Sequence, residues 1–287
     1  METNKSAKLQ MLFSMSLFGT IGLFVRAIPL PSSAVAMIRG FVGAAFLFAF
    51  TYLRGGKVSL DAIKKNLALL CLSGAAIGVN WILLFEAYRY TSVATATICY
   101  YLAPVFLVLS APLTLGEKLT AKKLVCVAAA LLGSVFLTGG ADGGSLRGIA
   151  CGVGAAVFYA SVMTLNKKLK DISAADRTLV QLAAAGTCLL PYVLLTEDIA
   201  SWSATPLQLL LLAVVGMMHT GYTYSLYFGA IEKLPTQTVA LYSYIDPLVA
   251  VLLSALVLRE PFTMQSAAGA VLVLGSTLWS ELGGKKN

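Results

Sequence analysis

Apolar residues along this chain come in unbroken runs of about twenty, longer than the apolar runs of a soluble domain's core and of membrane-crossing length. A window of membrane-span length cuts ten segments: residues 9–27, 33–53, 67–88, 93–113, 121–139, 146–166, 177–195, 206–231, 236–258 and 264–282. Polar and helix-breaking residues fall between them, at Pro29 and Pro31, Gly55 and Gly56, the glycine-rich run 139–144, Thr196 to Asp198, and Pro261. Every backbone amide in hydrocarbon needs an internal partner, so each segment is expected to be an α-helix. Lys5 and Lys8 precede the first segment as they would in a secretory signal, but no small-residue cleavage site follows. It reads as a retained span.

Composition narrows the picture further. Of 287 residues 58% are hydrophobic and 12% charged, and the mean hydropathy is +0.83, whereas soluble domains carry about 25% charged residues. A soluble enzyme, a secreted disulfide scaffold and a disordered binder are excluded. The net charge of +8 sits on no basic run with interleaved aromatics, so it does not indicate nucleic acid. It indicates orientation. Sixteen Lys and Arg residues fall at the termini and the even-numbered loops, four at the odd-numbered loops, and Arg39 lies inside the second segment. That bias predicts both termini in the cytoplasm and a multi-pass protein of the plasma (inner) membrane. Cys71, Cys99, Cys126, Cys151 and Cys188 all lie in apolar stretches without CxxC spacing or a neighbouring His, so neither metal nor cofactor is expected.

The chain also repeats itself. At an offset of 143 residues, 13 of the 43 positions from Gly78 to Thr120 are identical to their counterparts. The matches include Phe85 with Phe228, Thr95 with Thr238, Tyr101 with Tyr244, Pro104 with Pro247, Glu117 with Glu260 and Thr120 with Thr263. Chance accounts for Leu and Val matches between apolar helices, but much less readily for Pro, Glu and Thr. Five segments per copy is an odd number, so the second copy enters the membrane from the opposite side. The fold expected is therefore an all-α integral membrane protein of ten helices in two inverted repeats, residues 9–139 and 146–282. Inverted repeats are typical of secondary transporters, whose halves rock about a site near the bilayer midplane. Pro104 and Pro247 sit within spans, where a missing amide and a ring clash make either a hinge or a static kink.

The sequence resembles the drug/metabolite transporter superfamily, specifically its members with two EamA-type domains. The resemblance rests on Phe85, Ala87 and Thr91 before the fourth segment, the proline within it, and an ending at Glu117 and Thr120; the second copy carries Phe228, Ala230, Pro247, Leu258, Glu260 and Thr263. It extends from about residue 9 to residue 282. It implies proton-coupled or facilitative movement of a small metabolite, often export, through a cavity between two four-helix groups. It fixes no substrate, because members handle amino acids, drugs, nucleobases and organic cations.

Charges at membrane depth cost about 2.5 to 3.5 kcal/mol or more, so the few present mark a cavity or an ion path. Asp246, directly before Pro247 and inside the run Val239 to Leu258, leads: a carboxyl group there can exchange protons during a cycle, or it caps freed amides or pairs with Arg39. Glu86 either faces the site or pairs with Arg89. Arg39 either binds a substrate carboxylate or neutralises a buried acid. His219 is a proton carrier or a satisfied core residue. None of Glu86, His219 and Asp246 has a charged counterpart in the other copy, which suits substrate or coupling-ion roles rather than scaffold. Around them stand Trp81, Tyr100, Tyr101, Tyr222, Tyr224, Tyr227, Tyr242 and Tyr244, able to hold an apolar or cationic group at about 0.5 to 2 kcal/mol per contact. Asn80 adds a polar contact. Tyr88, Tyr90 and Tyr192 are assigned to the interfacial belt.

A secondary transporter, probing its substrate with Asn80, Trp81, Glu86, Tyr100, Tyr101, Tyr222, Tyr242 and Tyr244 and coupling through Asp246, Arg39 and His219, is the expectation. Its partners are a small molecule such as an amino acid and the lipid bilayer, and it is a monomer or homodimer. Organic cations are an alternative cargo. An intramembrane enzyme has no HExxH or GxSxG arrangement to use, and the absence of a GxxxxGK[ST] loop excludes ATP-driven pumping by this chain.

Overall fold

A computed structural model describes residues 2–114, 121–138, 145–166, 168–231, 233, 242, 245–259 and 263–282. Glu117, Thr120, Glu260, Tyr244 and the glycine-rich run 139–144 lie outside the described residues. Every regular element among those described is helical: α1 (Glu2–Arg26), α2 (Ser32–Leu53), α3 (Leu60–Tyr90), α4 (Val93–Tyr100), α5 (Ala103–Thr114), α6 (Ala121–Thr138), α7 (Leu146–Asn166), α8 (Ala174–Thr196), α9 (Pro206–Val214), a π-helix (Val215–Tyr222), α10 (Thr223–Ile231), α11 (Ile245–Leu256) and α12 (Met264–Leu282), with a 3₁₀ turn at Ile199–Ser201. Among the described residues six helices are long and apolar enough to cross a bilayer: Lys5–Arg26, Ser32–Leu53, Leu60–Tyr90, Leu146–Asn166, Ala174–Thr196 and Pro206–Tyr227.

Two apolar segments depart from single regular helices. The run 93–113 is broken at Tyr101 and Leu102, and the chain restarts as α5 with Pro104 as its second residue. Proline lacks the amide that a helix interior needs but is suited to a first turn, so the break precedes the ring rather than bending around it. Pro247 likewise stands in the first turn of α11. The run 206–231 is one continuous helix whose middle, Val215–Tyr222, is wound as a π-helix. There Thr220 and Thr223 turn their hydroxyls onto the carbonyls five residues back, Val215 and Met218. Helix starts carry the expected caps: Ser92 accepts from the amide of Thr95, Ser173 from that of Asp176, and Thr205 forms a capping box with Gln208.

The halves interleave. Among the described residues α3 packs on α7 and α8, α2 on α8 and the π-helix, α1 on α10 and α11, α4 on α7 and α11, and α6 on α12. Exchanging each segment with its counterpart in the other half returns the same set of pairs. Close approach uses glycine: a Cβ on Gly40 would come within 3.1 Å of Gly186 N and Leu182 O, so α2 and α8 cross backbone to backbone beside Arg39. Gly74 and Gly78 face α8, and Gly148 and Gly152 face the end of α3 and α4. The largest cluster of buried apolar side chains joins Val35, Ala44, Leu47, Trp81, Leu84, Phe85, Leu182 and Val215, from α2, α3, α8 and the π-helix.

Candidate functional site

Two opposite charges lie at separate places in the bundle, Arg39 buried and Asp246 half-buried. Arg39 on α2 is 3% exposed. Its guanidinium lies over the Trp81 ring at 4.1 Å and near the Phe85 ring at 5.3 Å, both on α3. Its Nε donates to Thr220 Oγ1 on the π-helix at 3.0 Å. That acceptor is free to receive because Thr220 spends its own proton on Val215 O at 2.9 Å. Nη1 and Nη2 make no hydrogen bond or ion pair among the described residues. Stacking on rings replaces hydration that the guanidinium loses, which suits Arg better than Lys.

Asp246 forms the other pole. It sits in the first turn of α11, where the helix dipole favours a negative group. Its Oδ2 accepts from Tyr101 Oη at 2.7 Å, across from the break between α4 and α5. A Cβ on Gly19 would come within 2.6 Å of Asp246 O, so α1 closes tightly over this turn. The alternative of an ion pair with Arg39 does not occur: Asp246 is held by Tyr101 and Arg39 by Thr220.

Tyrosines stand near both poles. Tyr88, Tyr100 and Tyr224 each lie within electrostatic reach of both Arg39 and Asp246. Tyr100 stacks on Tyr159 with centroids 5.1 Å apart and meets Tyr101 edge-on at 6.1 Å. Assigning Tyr88 to the interfacial belt is therefore corrected: it is 4% exposed and packs in the core. The reason is that Tyr88 follows Trp81 and Phe85 on the face of α3 that turns inward to Arg39, where it stacks on Phe85. Tyr90 and Tyr192 are 36% and 49% exposed, as belt positions would be.

His219 precedes Thr220 on the π-helix and is fully enclosed. Its Nε2 is 2.8 Å from Thr20 Oγ1 on α1, which also lies 2.8 Å from Leu17 O. Which of Thr20 and His219 donates follows the tautomer of the ring. The ring rests edge-on against Phe24 at 4.7 Å, with the Val214 backbone beside it.

The other expected residues scatter. Asn80 donates to Ala155 O at 2.6 Å and braces α3 on α7. Glu86 is half-buried, within electrostatic reach of Cys151, while Arg89 turns instead to Leu30 O. Tyr222 meets Phe13 edge-on at 6.4 Å, and Tyr242 packs with Met11, Met15 and Ala230. Tyr244 cannot be placed among the described residues. Sequence reasoning missed Thr20, Tyr159 and Thr220. Only Thr220 left a signal: hydroxyls and glycines crowd the stretch Gly216 to Thr223, as a distorted helix would require.

Two cavities lie at opposite ends of the antiparallel α2–α8 pair. One, of 290 Å³, is bordered by Phe50, Thr51, Arg54, Thr178, Tyr224 and Ser225. The other, of 570 Å³, is bordered by Pro31, Glu197, Asp198, Ser201, Trp202 and Gln208. At that second end Ser33 Oγ donates to Glu197 Oε1 at 2.5 Å, tying the start of α2 to the end of α8.

Residues 5–139 and 146–281 each match the EamA-like transporter family. The chain is 29% identical to the uncharacterized transporter YxxF of Bacillus subtilis, over 86% of this chain and 80% of that one. It is 26% identical to an uncharacterized transporter of Archaeoglobus fulgidus, covering 92% and 93% of the two chains. It is 25% identical to the uncharacterized inner membrane transporter YicL of Salmonella typhimurium, covering 100% and 98%. A solved crystal structure with 18% identity superposes with a TM-score of 0.68 over 97% of each chain, which shows a shared fold.

Proposed function

The chain belongs to the EamA-like transporter family, and from that premise we propose that it is a secondary transporter exporting a small amphipathic metabolite, such as an amino acid, by alternating access. It is a multi-pass plasma-membrane protein with a small-molecule substrate. In this reading ten spans form two inverted repeats, residues 9–139 and 146–282, with both termini in the cytoplasm. The exchange symmetry of the packed pairs supports two equivalent halves, and an odd number of spans per half inverts one against the other.

The observation that carries the reading is a buried Arg39 and a half-buried Asp246, with Tyr88, Tyr100 and Tyr224 within electrostatic reach of both where the halves interleave. Charges at such depth are costly, and here each is held by a single neutral hydroxyl rather than by an opposite charge, which suits an exchangeable partner. Asp246 takes and releases the coupling proton, and His219 and Arg39 are the other ionisable groups of the site. Trp81, Tyr100 and Tyr101 contact the solute, and Pro104, where the helix restarts, and Pro247 are the hinges. The protein works as a monomer or homodimer, without catalysis or cofactor.

Reconstituted vesicles test this. Saturable counterflow of a labelled amino acid, unchanged chemically, is expected under an imposed proton gradient. A product instead of the original solute identifies an enzyme, and counterflow restricted to quaternary amines identifies an organic-cation exporter.

A further inference from the structure

Arg39 has no carboxylate within electrostatic reach among the described residues. The groups that bear on it are Tyr224, Tyr100, Tyr88 and His219. Its Nε is used on Thr220, while Nη1 and Nη2 have no partner among the described residues. A guanidinium enclosed to this degree without a counter-ion presents two parallel donors, the geometry that a carboxylate fits bidentately. A single cation walled by Trp81, Phe85 and tyrosines suits one singly charged head on an apolar body.

The cavities at the two ends of the α2–α8 pair carry opposite signs. Arg54, its guanidinium 4.4 Å from the Phe50 ring, is the charged side chain bordering the smaller one. Asp176 is close by in sequence, but its carboxylate accepts from the backbone of Ser59, away from this cavity's border. Tyr224 belongs both to this cavity's wall and to the set within reach of Arg39, so the cavity leads toward the buried cation. The larger cavity has Glu197 and Asp198 as its charged side chains and no base among the described residues. Arg89 stands beside it on Leu30 O but outside its wall. An anion is therefore attracted at one mouth and repelled at the other.

We propose that Arg39 seats the carboxylate of an apolar organic acid, which enters past Arg54, docks between Trp81 and Thr220, and leaves past Glu197 and Asp198. The proposal rests on the alternating-access reading above and gives it a substrate class and a direction, outward from the end that carries the chain termini.

The test uses the full chain in lipid nanodiscs with four probes of similar size: phenylacetate, phenylacetamide, phenyl phosphate and benzyltrimethylammonium. Phenylacetate is expected to bind at least about tenfold more tightly than phenylacetamide, since a charge-assisted hydrogen bond contributes about 1.5 to 3 kcal/mol. Phenyl phosphate, with a second charge that one Arg cannot match, binds more weakly than phenylacetate. Arg39→Gln removes the preference for the acid over the amide. Arg54→Gln, at an exposed position, leaves equilibrium binding unchanged but slows phenylacetate entry in low salt from the Arg54 side several-fold, and Glu197→Gln speeds entry from the other side. Equal binding of acid and amide, or an unchanged preference in Arg39→Gln, overturns the seat. Entry rates indifferent to both mouth variants overturn the direction. Saturable counterflow of benzyltrimethylammonium without phenylacetate binding overturns the substrate class yet leaves transport standing, whereas no saturable counterflow of any probe or of amino acids sinks the transport reading itself.

Discussion

The third and eighth segments are counterparts at the 143-residue offset, with Gly78 over Gly221 and Phe85 over Phe228, yet they are built differently. α3 runs without interruption for 31 residues and offers side chains as a platform: Trp81 and Phe85 beneath Arg39, Asn80 braced on α7. Its counterpart is wound as a π-helix at Val215–Tyr222, and that distortion is where His219 and Thr220 turn to α1 and α2. The offset pairs those two residues with Ala76 and Ile77. A shared repeat thus supplies the frame, and the extra residue that a π-turn accommodates in one copy supplies the asymmetry from which a polar site is made.

Removing that asymmetry is expected to have the largest effect. Deleting Met217, which is 39% exposed, removes the residue that the π-turn accommodates and restores α-helical winding between α9 and α10. His219 and Thr220 then cannot meet Thr20 and Arg39 while α9 keeps its contacts with α2, and counterflow should disappear while the protein still inserts and purifies as a single species. Retained counterflow would show that the π-turn is ornamental. Next in size is Asp246→Asn, which keeps an acceptor for Tyr101 but cannot carry a proton. Gradient-driven uptake should be lost with counterflow intact, and unchanged driven uptake would remove Asp246 from the coupling role. Thr220→Val takes the acceptor from Arg39 Nε and should raise KM about tenfold with little change in maximal rate, because bonds to charged groups contribute about 1.5 to 3 kcal/mol. The smallest effect belongs to the regular counterpart: Asn80→Ala removes the bond to Ala155 and should lower thermal stability by about 0.6 to 1.7 kcal/mol with KM nearly unchanged. A large KM effect there would make Asn80 a substrate contact rather than a brace.

Legibility followed the strength of the physical constraint. Helical spans are forced by the solvent, so the six long apolar helices could be read directly from hydropathy. Asp246, Arg39 and His219 stood out because charge at that depth is rare. What was hidden depends on partners far apart in sequence. Thr20 and His219 are 199 residues apart, and Thr220 and Arg39 are 181 apart, so no local pattern announces either pair. The break at Tyr101 was obscured because the proline was read as the centre of a span, although its chemistry favours the start of a new helix. Tyr88 was misread because an aromatic near a helix end looks interfacial until the neighbouring helices that cover it are known.

The central claim is that the buried site opens to one face at a time, and the Ser33–Glu197 contact allows a direct test. In a background with all five native cysteines replaced, Tyr100→Cys reports access to the site, while Ser33→Cys and Glu197→Cys are bridged beforehand by a short reducible bis-thiol linker. With the bridge in place, an impermeant maleimide should label position 100 from the face bearing the chain termini and not from the opposite face, and reduction should restore labelling from the opposite face. Labelling from both faces while the bridge is intact would contradict the account.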